Sequence, residues 1–107
     1  MSNQPNENYA ARVHSILSRE YDAETEDAKK SGEIVKLECT TDFGIVTVVW
    51  ISACTMVDLI RMEAVGENNK HFLMYIPAIR CSFRFSRFKP AKGESKEVGF
   101  VAKPVSN

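Results

Sequence analysis

Histidine is scarce in this chain, with two copies, His14 and His71, far apart in the sequence. Neither has a second histidine or a carboxylate at ligand spacing, which argues against a metal site. The three cysteines, Cys39, Cys54 and Cys81, are odd in number and widely spaced. That suits neither a disulfide framework nor a CxxC metal site, so reduced, buried thiols are expected. There is no grouping of Ser, His and Asp, no glycine-rich phosphate loop and no HExxH motif. A non-enzymatic protein without a cofactor is therefore expected. The 14 basic and 14 acidic residues cancel, so net charge gives no general attraction to nucleic acid, and any such site must come from a local cluster. No apolar run is long enough to span a bilayer and no signal-peptide pattern opens the chain, which leads to an expectation of a cytoplasmic protein with no membrane partner.

What the chain does have is concentrated in its middle. Its 107 residues suit one domain. The apolar density lies between residues 33 and 88, so the core belongs to only about sixty residues, a size at which burial alone gives marginal stability. Residues 1–7 read as a flexible tail. A helix is expected over about 8–30, where Ala10, Val13, Ile16, Leu17 and Tyr21 recur at steps of one helical turn. Asn6 or Asn8 can cap it, and Ser31 and Gly32 end it. The acidic continuation DAETEDAKK fits either more helix or a linker.

From residue 33 the pattern changes to short runs rich in Val, Ile, Phe, Tyr and Thr, bounded by turn residues, which is the mark of strands. Strand one alternates Val35, Leu37 and Cys39 with Lys36 and Glu38. Strand two, Ile45 to Ser52, is apolar on both faces and should be the most covered. Strand three is read from Met56, after only Ala53 and Cys54, with Asp58 bonding backbone groups near its start. Gly66 to Asn69 make a turn, strand four is His71 to Ile76, and strand five is Ala78 to Phe85 across a corner at Pro77. Residues 89–107 read as a tail in which VGFVAKPV adds an edge strand or docks on the sheet. The fold class is mainly β: a small, strongly bent, five-stranded antiparallel barrel preceded by an α-helix.

One cluster has the chemistry of a nucleic-acid surface. In IRCSFRFSRFKPAK, Arg80 and Arg84 fall on one strand face, Phe83 and Phe85 on the other, and Arg87, Lys89 and Lys92 extend the charge. Arginines can hold phosphates while aromatic rings stack on bases. The other reading of the same residues places the phenylalanines in the core and pairs the arginines with Glu38 and Glu63 across the sheet. Tyr75, beside the corner, can line a pore or an inter-subunit pocket, or simply pack an interface.

The strand order and the stretch MYIPAIRCSF resemble the Sm fold of the Sm, LSm and Hfq proteins. MYIPAIRCSF is similar to the Hfq stretch VYKHAISTVV, with Tyr75, Ala78 and Ile79 on identical residues, and WISACTMVDLI is similar to the first Sm motif. The resemblance covers roughly residues 9 to 86 and implies an Sm-like, SH3-type barrel. It also implies a homo-oligomeric ring of roughly five to seven subunits, in which strand four of one pairs with strand five of the next. For function it implies single-stranded RNA binding, with Met56, Tyr75, Arg80, Arg84, Arg87 and Lys89 as candidate contacts. This chain departs from the family pattern in that Cys54 replaces the loop Asp, Met56 the stacking aromatic, and Ile76 and Pro77 the Lys-His pair. Those departures keep open a second expectation, a ring that binds protein or a small ligand and has no RNA role.

Overall fold

The computed structural model of the chain describes residues 8–91 and 97–100, so the tail expected over residues 1–7 lies outside it. Helix α1 spans Tyr9–Lys29, and Asn8 caps it by accepting the Ala11 N–H at 2.9 Å, which satisfies one of the amides every helix start leaves open. The neighbouring amide is satisfied from a distance. Asp58 Oδ1 accepts the Ala10 N–H at 2.6 Å, and the Asn8 side-chain amide donates to the Thr55 carbonyl at 2.7 Å. At the far end Gly32 adopts φ +70°. Its N–H bonds to Lys29 O at 3.1 Å while the Glu33 N–H bonds to Ala28 O at 2.9 Å. This is a Schellman closure, which glycine enters without steric cost. The segment DAETEDAK is thus helix rather than linker.

Six strands follow: β1 (Ile34–Thr41), β2 (Gly44–Cys54), β3 (Leu59–Val65), β4 (His71–Pro77), β5 (Ser82–Phe88) and β6 (Gly99–Phe100). They form one sheet in the order β4-β3-β2-β1-β5, antiparallel throughout except for β6, which runs parallel to β2 at Trp50 and Ile51. β1 pairs with β5 from Ile34 to Thr40 but with β2 only from Glu38 to Thr41. β6 takes part of the β2 edge that β1 has left. The sheet is not closed, which corrects the expected five-stranded barrel. Among the described residues β4 bonds only β3 and β5 only β1.

Two strand boundaries also differ from the sequence reading. Strand three begins at Leu59 and not at Met56, since Asp58 adopts φ +55°, a left-handed conformation that interrupts an extended run, and Ala53 and Cys54 are the end of β2. Strand five begins at Ser82, since Ala78–Arg80 form a single 3-10 turn, and Pro77 is the last residue of β4.

The core lies between α1 and the sheet. Leu37, Ile51, Ile60 and Met62 are fully buried, joined by Leu17 and Ala10 from the helix, with Phe83 and Phe85 of β5 packed against the margin. Tyr21 packs its ring near Phe85 and Phe100 and accepts the Val98 N–H at 3.1 Å. Along β2, Val46 and Val48 are buried with exposed or half-buried neighbours, and burial then becomes continuous from Ile51 to Cys54. A β-bulge between Val48 and Trp50 reverses the alternation and sends Trp50 to the outer face. No helix among the described residues is long and apolar enough to cross a membrane.

Candidate nucleic-acid and assembly surfaces

The ladder between β3 and β4 determines what the β4 edge offers. Asp58 O accepts the Ala78 N–H at 3.1 Å, and Lys70 O accepts the Gly66 N–H at 2.9 Å. With the register Ile60 to Ile76, Met62 to Met74 and Ala64 to Phe72, the even-numbered β4 residues are the bonded partners of β3. Antiparallel pairing alternates, so the N–H and C=O groups of His71, Leu73 and Tyr75 point to the open edge. Pro77 belongs to the same set, and its missing N–H costs the β3 ladder nothing. Beside this edge lies a groove of about 620 Å³ lined by Phe43, Ile45, Phe72, Leu73 and Met74. Phe43 at its rim is 93% exposed.

The six candidate RNA residues fall into separate places. Met56 is exposed in the turn between β2 and β3, and Arg80 is exposed in the corner; the Ala78 to Asp58 bond ties that turn to that corner. Val57 and Ile79 are exposed there too. Tyr75 stands half exposed on β4, opposite Arg61 of β3. Arg84 and Arg87 lie on β5 at the other end of the sheet. Arg84 Nε donates to Glu38 at 2.7 Å, and Arg87 donates to Glu24 at 2.8 Å and Asp27 at 2.9 Å. The hydrogen bond from Arg87 holds the Asp27 carboxyl below the usual range, and the bonds to Glu24 and Asp27 raise the guanidinium in turn. Both β5 arginines are thus engaged by acids of their own chain. Lys89 is exposed just beyond β5.

A cluster not singled out in the sequence occupies the outer face of β2, β3 and β4. The Arg61 guanidinium carbon lies 5.4 Å from the Trp50 ring centroid and 5.7 Å from that of Tyr75, within the range at which a π face holds a cation. Ser52, the cross-strand partner of Arg61, is completely covered. Glu63 does not pair with this arginine. Its carboxylate accepts from Trp50 Nε1 at 2.8 Å and meets His71 Nδ1 at 2.7 Å, and these bonds, that of His71 first, lower its pKa. The only sequence signal for the cluster was the outward alternation of Arg61 and Glu63, which does not by itself indicate a site.

The cysteines are free thiols. Burial raises the Cys39 pKa, and burial together with the neighbouring Cys39 pushes Cys81 up to about 12, which leaves almost no nucleophilic thiolate at neutral pH. Among the described residues no three His, Cys, Asp or Glu side chains converge as a metal site would need.

Comparison with family models, with curated proteins and with solved structures returned nothing.

Proposed function

We propose that this chain is a divergent Sm-like protein that assembles into a homo-oligomeric ring and binds single-stranded RNA without catalysing a reaction. The observation that carries the reading is the placement of β4 and β5. They are consecutive in the chain, joined by one 3-10 turn, yet each stands at an opposite end of the sheet with an open edge. Such edges are a standing hazard unless another strand covers them, and the β5 edge of a second copy can cover the β4 edge of the first. A heterologous contact of that kind, repeated with rotation, closes a ring. In the ring, Tyr75 on β4 of one subunit lies near β5 of the next, which brings the separated candidates into one neighbourhood.

The β5 arginines contribute less to the RNA reading than their sequence suggested, since Glu38, Glu24 and Asp27 neutralise them. That same observation, with the exposed apolar group Met56, Val57 and Ile79, favours a second reading in which the ring presents an apolar corner to a protein. Titration of labelled oligouridine and oligoadenosine with the full chain at two salt concentrations separates the two. Saturable binding that weakens as salt rises supports the RNA ring. Absence of binding to either oligomer at low salt removes RNA and leaves the protein-binding ring.

A further inference from the structure

We propose that Arg61, set between Trp50 and Tyr75 on the outer face of β2, β3 and β4, is a phosphate contact for single-stranded RNA, with Tyr75 as the adjoining base-stacking surface. This deepens the RNA reading above and rests on it. Arg61 differs from the β5 arginines in one decisive way: it forms no ion pair with a described residue, and its Nε finds no acceptor among them. The adjacent carboxylate, Glu63, is occupied by Trp50 and His71. The two aromatic rings limit the freedom of the side chain without neutralising its charge. A guanidinium so restrained loses little further entropy when its planar fork meets a phosphate. Tyr75 is 52% exposed, so its ring has free surface for a base, and aromatic stacking is indifferent to which base it meets. Met56, at the position of the family's stacking aromatic, has no π face. The Arg61 cluster therefore joins a cation to the stacking surface that Met56 does not supply.

The test is binding of labelled oligouridine across a range of salt concentrations by the full chain and by Arg61→Gln, Tyr75→Leu and Lys29→Gln, each checked for unchanged assembly. Arg61→Gln is expected to weaken binding about tenfold at low salt and to reduce the salt slope by about 0.7, the contribution of one phosphate contact to a single strand. Tyr75→Leu is expected to weaken binding with the slope unchanged, because stacking releases no counterion. Lys29→Gln, an equal loss of charge at the end of α1, is expected to change affinity less than about twofold. If the wild type binds while Arg61→Gln matches it in affinity and slope, the Arg61 site is wrong and the RNA reading stands. If Arg61→Gln and Lys29→Gln lose equally, binding is diffuse and the site is likewise wrong. If the wild type binds no RNA, both fall together.

Discussion

Asp58 joins three elements through one residue. Its carboxylate caps the Ala10 N–H of α1, its carbonyl accepts the Ala78 N–H of the corner, and its left-handed backbone sets where β3 begins. Asparagine keeps both the acceptor and the tolerance for positive φ. Asp58→Asn should therefore stay close to wild-type stability, whereas Asp58→Ala should cost about 1 to 2 kcal/mol through the lost cap and the strained backbone. Urea unfolding of the two variants checks this, and equal stabilities would contradict it. Glu63 gives a residue-level pH prediction. Its pKa is lowered in the folded state, so its contribution is present above the unfolded value of about 4.3 and is lost as pH falls through the folded value. Thermal melting between neutral pH and about pH 3 should show a decline below about 4.3 that is smaller in Glu63→Gln; superimposable profiles would rule Glu63 out as a contributor.

At the scale of elements, β4 is where assembly can be probed without disturbing the fold. The N–H of Leu73 points to the open edge and takes no part in the β3 ladder, so Leu73→Pro removes one donor from an inter-subunit pairing and none from the subunit. The variant should keep its far-ultraviolet circular dichroism and lose its assembly; an assembly of unchanged mass would show that β4 is not the contact. How much of these elements the sequence discloses depends on how local their determinants are. The Asn8 cap, the Gly32 closure and the alternation of β1 are set by neighbours within a few residues, and the sequence shows them. The bulge that turns Trp50 outward is a one-residue slip within an apolar run, and Val46 to Ile51 reads the same with or without it. The acids that hold Arg84 and Arg87 lie 46, 63 and 60 residues away, so no local pattern could pair them. Met56 and Val57 look like strand residues in the sequence, while the late start of β3 depends on the conformation of Asp58.

For the whole molecule, one shortage accounts for the rest. The core is a single layer between one helix and an open sheet, and large apolar side chains remain exposed at Phe43, Met56, Val57 and Ile79. A structure of this size gains little from burial within itself. Two strand edges unpaired among the described residues, with an apolar groove beside one of them, make a second copy the natural cover. The proposed ring is such a cover, with β5 of one copy against β4 of the next. The most direct measurement is the mass of the purified full chain in solution by light scattering at micromolar concentration. A ring should appear as a single species of roughly five to seven times the 12.1 kDa chain. A monodisperse 12.1 kDa monomer would contradict it.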